Sequence, residues 1–428
     1  MYKNILRLLD KLRIIICKPW FLFHTLDVTF FKISVAIYRC LMFYSLNDHK
    51  KLKNDIMSNS NHFFPIYSCR SGFDAILQIL STYLKSNDQP EIIMTGLNIK
   101  HMRMLPEIHG YKVKILDIDL DTMEPNLVQL KNLITPNTHV LVVAQFNGVH
   151  IDLEPMARIV KENNNIIIIE DCAQSINSEY IGSCHADFTL FSFGLSKDYT
   201  AFGGGLIKVH NNRYQTSISN LLDTYPIESQ FKYLTTVTIS TIKFIMTSSI
   251  TVSLVHFISR YFGSNYENVL NKIGKEFNDH DDPRKLLAKF RKQCSTPHLS
   301  LIRDRIKEIY DTPNSNKYLL ERKMQGDYLT NQLLNIQTIK IFGNKQMKRR
   351  YWLFPILVKN KNRDQLLDKL NQNGFIATKT ATTFGYIGLE EEESNCFKFR
   401  EEVIYLPYSP DIPRIKIDEM VKLIKNFK

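Results

Sequence analysis

Short apolar runs alternate with segments of helical periodicity through most of this chain. Residues 91–95, 113–118, 140–145, 166–171, 188–193 and 206–209 are apolar at most positions. A strand reads that way when both faces of its sheet are covered, the usual state of a parallel sheet. Residues 73–80, 101–109, 127–134 and 152–162 carry helical patterns between these runs. Such alternation predicts right-handed βαβ units, hence an α/β fold with a mainly parallel central sheet and helices on both faces.

From Pro297 the pattern changes. Helices are expected over 299–310 and 316–334, and a strand over 351–358. A helix over 364–373 ends at Gly374, a C-cap signal, and a short strand at 403–407 precedes a last helix over 416–427. Residues 297–428 therefore read as a smaller α+β domain, and 54–235 as the large domain.

Two stretches break the alternation. In residues 1–53, Lys3, Arg7, Lys11, Arg13 and Lys18 are interleaved with Ile5, Leu8, Leu9, Leu12, Ile14, Ile15 and Ile16. No apolar run there reaches the roughly 18–20 residues a spanning helix needs, and no small-residue cleavage site follows an apolar core. A basic, aromatic segment of this kind can lie in a membrane interface or pack as a helical arm on its own domain or a dimer partner. The second stretch lies within 236–296. Residues 236–262 are rich in β-branched and apolar residues, with Lys243 and His256 the only chargeable groups before Arg260. It reads as a buried interface helix or a membrane-embedded segment.

Composition narrows the compartment and the partners. Among 428 residues, Lys and Arg number 55 and Asp and Glu 43, a net charge of +12. With no nucleic-acid motif, that balance fits phosphorylated substrates or anionic lipid. The seven cysteines are scattered without a CxxC pair, which predicts free thiols in a reducing cytoplasm, at the inner face of the membrane where the basic or apolar stretches touch lipid.

The chemistry concentrates in residues 166–209. Four isoleucines lead into Glu170-Asp171, so a carboxylate ends a buried strand, and open α/β sheets bind ligands at that end. Lys197 follows the next strand by a short loop, and Gly203-Gly204-Gly205 precedes another. A lysine amine for a Schiff base and an acid beside a pyridine nitrogen are what pyridoxal 5'-phosphate needs. The glycines precede a strand instead of joining strand to helix, so they are not a dinucleotide fingerprint. No Walker loop or paired-metal cluster is present.

The motif Asp171, Ala173, Gln174, Gly182, Asp187, Ser192, Phe193, Lys197 and Gly204-Gly205 resembles the DegT/DnrJ/EryC1/StrS aminotransferases. The resemblance implies a fold type I transferase and a homodimer. It also implies transfer of an amino group from an amino acid donor, glutamate, to a keto group on a nucleotide-linked sugar. Lys197 would carry the cofactor, Asp171 would pair with its ring nitrogen, Gln174 would face the ring and Ser192 its phosphate. Asp187 would orient its strand. Ser71-Gly72 resembles the family's phosphate loop, with Phe73 in place of its threonine. Ile99 falls where the family has a ring-stacking aromatic, and His101, two residues on, is the substitute candidate. Family dehydratases carry histidine in place of the lysine, so Lys197 speaks against that reaction. A non-catalytic, membrane-associated relative is the remaining alternative.

Overall fold

The computed structural model describes residues 21–22, 26–58, 63–84, 89–162, 166–178, 180–248, 251–252, 283–310, 317–346, 349–359, 362–380, 384–388 and 394–427. In chain order the strands are β1 (Phe21–Leu22), β2 (Phe63–Ile66), β3 (Glu91–Thr95), β4 (Leu97–Ile99), β5 (Lys112–Leu116), β6 (Thr138–Ala144) and β7 (Ile167–Asp171). They continue with β8 (Phe188–Ser192), β9 (Gly205–Val209), β10 (Ile339–Ile341), β11 (Pro355–Val358), β12 (Phe375–Ile376), β13 (Phe384–Tyr386) and β14 (Val403–Tyr405).

Seven strands form the central sheet in the order β2-β9-β8-β7-β6-β3-β5. The pairs β3–β5, β3–β6, β6–β7 and β7–β8 are parallel, and β9 runs antiparallel to both its neighbours, β8 and β2. Alternate side chains leave opposite faces, and both faces are closed. Ile92, Met94, Val142 and Ile169 pack with Ile76, Leu77 and Leu80 of the helix Cys69–Ser81. Ile93, Leu141, Val143 and Ile168 pack with Met156, Ala157 and Val160 of the helix Glu154–Lys161. Each such side chain contributes roughly 1.5–3 kcal/mol by leaving water. This double cover is why the strands read as continuous apolar runs.

The C-terminal part centres on the antiparallel sheet β10-β11-β14. It packs with the helices Lys317–Leu333, Arg363–Gln372 and Arg414–Lys425. The strand expected over 351–358 is shorter. Tyr351 takes a positive φ of 53°, and the Leu353 N–H donates to Asn147 Oδ1 at 2.8 Å, so the chain joins the small sheet only from Pro355. Two further pairings link distant segments: β4 with β13, and β1 with β12.

The N-terminal region folds onto the body. The helix Leu46–Ser58 runs through residue 53 and, with the helix Phe30–Leu41, buries Ile33, Ala36, Leu52 and Ile56 in the core beside Phe191 and Leu206. The 236–262 expectation is also redrawn. A helix begins earlier, at Gln230, because Ser229 caps it through Lys232 N at 3.2 Å, and it ends at Thr247. Residues 253–262 lie outside the described residues, as do 1–20. Among the described residues no helix is long and apolar enough to cross a membrane. The two unusual stretches meet: the Phe30 and Phe244 rings pack edge to face at 5.3 Å. Gln230 donates to the Cys40 carbonyl at 2.5 Å.

One buried ion cluster anchors the segment that follows the insertion. Asp74, fully buried, accepts from Arg291 Nε at 2.9 Å and lies 2.8 Å from His109 Nε2. Burial alone would raise the Asp74 carboxyl, but His109 and Arg291 outweigh it and hold the carboxyl below its ordinary value. A depressed carboxyl stabilises the fold above the unfolded value and loses that contribution as pH falls through the folded one. Arg291→Ala is expected to lower the unfolding free energy by about 3 kcal/mol at neutral pH in urea titrations. The gap between variant and wild type should narrow below about pH 4.

Candidate active site

β7 carries Asp171 to its C-terminal end on the same face as Ile169. The carboxylate is buried and accepts from Asn98 Nδ2 at 3.2 Å and from the Ala173 N–H at 3.1 Å. Burial pushes the Asp171 carboxyl up, while those two donors and the charge of Lys197 pull it back.

Lys197 sits on the loop between β8 and β9, its N–H held by the Gly194 carbonyl at 3.0 Å. Two close approaches return that loop to the sheet. Gly204 takes φ +77°, and a Cβ on Gly205 would stand 2.2 Å from the Phe191 carbonyl oxygen. Burial lowers the Lys197 amine to about 8, with Arg70 adding to the fall and Cys69, Asp171 and Asp198 opposing it. Its Nζ lies 3.7 Å from the centre of the Trp352 ring. Lys197 and Asp171 are thus close enough for each to shift the other's titration.

Ser192 ends β8, and its Oγ accepts from the Gly194 N–H at 3.3 Å. It also bonds the Cys69 thiol, which burial pushes up to about 12. Cys69 opens the helix Cys69–Ser81, and here the sequence register needs correction. Ser68 is the N-cap, its Oγ accepting from Ser71 N at 3.2 Å, and its carbonyl accepts from Gly72 N at 3.0 Å. Ser71 and Gly72 therefore lie within the first turn, not before it. The free end of the helix is presented by Cys69 and Arg70. Gly72 serves packing: a Cβ there would come within 2.5 Å of Ile66 Cδ1. Phe73 is wholly buried in the core. A second serine one turn upstream, directly after a strand, was the available signal.

His101 is buried in the first turn of the helix Lys100–Ile108. Its Nδ1 lies 3.4 Å from Arg70 Nη1, and its ring meets Phe290 edge to face at 5.8 Å. Ile99 pairs with Phe384. Asn98, which the sequence did not single out, is the residue that reaches Asp171. Gln174 is half-buried and accepts from the Asn147 N–H at 3.2 Å, so it holds the loop whose Asn147 in turn fixes Leu353. Asp187 accepts from the Ile168 N–H at 3.0 Å and from Asn211 Nδ2 at 2.9 Å, tying β7 to the turn after β9.

A buried amine and a buried carboxyl thus lie at the end of a mainly parallel sheet in an α/β fold, beside a helix N-terminus. Residues 65–244 match the model of the DegT/DnrJ/EryC1/StrS aminotransferase family. A pleiotropic regulatory protein of Geobacillus stearothermophilus is 28% identical over 167 residues, 38% of this chain and 44% of that protein. The chain thus spans about two fifths of the length of the curated relatives it matches. Helicobacter pylori PseC, an aminotransferase involved in pseudoaminic acid biosynthesis, shares the fold with a TM-score of 0.66 at 14% identity, covering 95% of this chain and 98% of that one. The sugar aminotransferase CalS13 from Micromonospora echinospora does so at 0.64 and 13%, covering 95% and 99%.

The helix register has a direct check. Ser68→Ala should cost about 1 kcal/mol through the lost cap. The Ser71 hydroxyl is buried without a partner, so Ser71→Ala should be neutral or slightly stabilising. Thermal unfolding of the two variants reads the difference, and equal losses would contradict the assigned cap.

Proposed function

We propose that this protein is a pyridoxal-phosphate aminotransferase that moves an amino group from an amino acid, glutamate, to a keto group on a nucleotide-linked sugar. One observation carries the reading: the buried Lys197 amine, lowered to about 8, and the buried Asp171 carboxyl each act on the other's titration. The residues fit the cofactor. Lys197 would hold it covalently, and Asp171, fixed by Asn98, would keep its ring nitrogen protonated. Ser192 and the helix end at Cys69-Arg70 would receive its phosphate, since a helix N-terminus favours an anion. His101 and Gln174 stand at the margins, and Ser71 and Gly72 support the same helix from inside its first turn.

Bound there, pyridoxal phosphate supplies an electron-withdrawing ring on which an amino group can be carried. The chain's own residues do the rest. Lys197 Nζ, lowered to about 8 by burial, would hold the cofactor and, when free, would take up and return the proton. Asp171 would supply the acid beside the cofactor's ring nitrogen, steadied by Asn98 and the Ala173 N–H. The Trp352 ring covers the amine at 3.7 Å. The sugar acceptor is supported by the fold shared with PseC and CalS13, and the net charge of +12 suits a phosphorylated substrate. A homodimer is part of this reading.

Peripheral membrane contact is a second element of the proposal. Phe31, Leu41, Phe43 and Phe231 are exposed on the paired helices Phe30–Leu41 and Gln230–Thr247 and the turn after the first, next to the basic 1–20 segment in sequence. The regulatory relative favours one further reading, in which the fold is kept without catalysis.

Borohydride reduction of the holoprotein and peptide mass spectrometry are expected to find the pyridoxyl mass on Lys197. Lys197→Ala should lose the visible absorbance band and about 10³-fold in transfer rate. A wild-type protein with no band would favour the non-catalytic reading. For the membrane element, the full chain should sediment with anionic vesicles, and Phe31→Ser with Phe43→Ser should abolish it.

A further inference from the structure

We propose that Trp352 is a positioning residue for Lys197, resting on the aminotransferase reading above: its indole face holds the amine as a cation whenever the lysine is not joined to the cofactor. The ring centre lies 3.7 Å from Nζ, well inside the range of a cation–π contact. The ring is not free to turn away. Its Nε1–H donates to the Ser196 carbonyl at 2.7 Å, the residue immediately before Lys197. The next residue, Leu353, is held by Asn147 Oδ1 at 2.8 Å, and Asn147 by Gln174 Oε1 at 3.2 Å. The indole comes from the C-terminal part, yet three hydrogen bonds running through the large part set its place.

The other groups acting on Lys197 come from every side: Cys69 and Arg70 from the helix Cys69–Ser81, Asp171 from β7, and Asp198 from its own loop. Asp198 is engaged by Arg322 at 2.6 Å, and Asp171 by Asn98. A free ammonium that settled on either carboxylate would be held by a strong, directional pair. The indole offers attraction without a proton acceptor. The proton therefore stays on Nζ, and the amine remains able to deliver it. Burial works in the opposite direction and keeps the neutral form accessible near neutral pH.

The test uses cofactor-free full-length protein, with Lys197 observed by 13C NMR of labelled lysine and assigned through Lys197→Arg. Removing the ring should lower the titration midpoint of Lys197 by about one pH unit in Trp352→Leu. Trp352→Phe, which keeps an aromatic face and most of the volume, should shift it less. The pH at which added pyridoxal phosphate is captured, followed by the visible band, should move with the midpoint. An unchanged midpoint in both variants, or equal shifts in both, overturns the role of the indole. A shifted midpoint in a protein that captures no pyridoxal phosphate overturns the aminotransferase reading instead. Should Trp352→Leu fail to fold by circular dichroism, the non-aromatic Trp352→Met takes its place, and a wild-type midpoint there overturns the proposal.

Discussion

A lysine amine and a carboxylate, both buried and each shifting the other's titration, lie at the end of a sheet closed on both faces. Keeping two such groups there is costly unless each has partners. The surroundings supply them: Asn98 and the Ala173 N–H for Asp171, and the Trp352 ring for Lys197. The glycines that let the Lys197 loop return to β9, the cap that aims the helix Cys69–Ser81, and the turn that carries Trp352 inward are all arranged around this pair. The apolar strands provide the rigid floor, and the loops at their ends provide the chemistry.

The floor was legible in the sequence because double burial removes polar positions from a strand. β3 and β6 to β9 follow their apolar runs to within two residues at either end, and the mainly parallel order follows from the interleaved helices. The spacing of Asp171, Ser192 and Lys197 was legible for the same reason, since all three hang from predictable strand ends. What stayed hidden was set by tertiary choice. Ser68 and Ser71 are both competent caps, and only the packing of Gly72 against Ile66 decides between them. Asn98 and Trp352 reach the site from segments far away in the chain, where no periodicity marks them. Gln174, read as a ring contact, is seen bonding a backbone N–H of the 147 loop.

The unusual stretches illustrate the same division. Their composition announced apolar, aromatic helices, and helices are present at Phe30–Leu41 and Gln230–Thr247. That the two would lie against each other could not be read from either alone. The inner stripes of both join the core beside Phe191 and Leu206, while aromatic rings remain on the outside.

The pairing of β1 with β12 carries a consequence for how the molecule is handled. Phe21 and Leu22 satisfy backbone groups of Phe375 and Ile376, and the Phe21 N–H donates to the Gly374 carbonyl at 2.9 Å. A two-residue strand so placed conceals the backbone margin of β12, with which it forms a two-stranded sheet of its own. Shortening the chain to begin at the first helix would bare that margin, and bare margins recruit strands from neighbouring molecules. Expression designs that trim the basic leader are therefore best ended before Phe21.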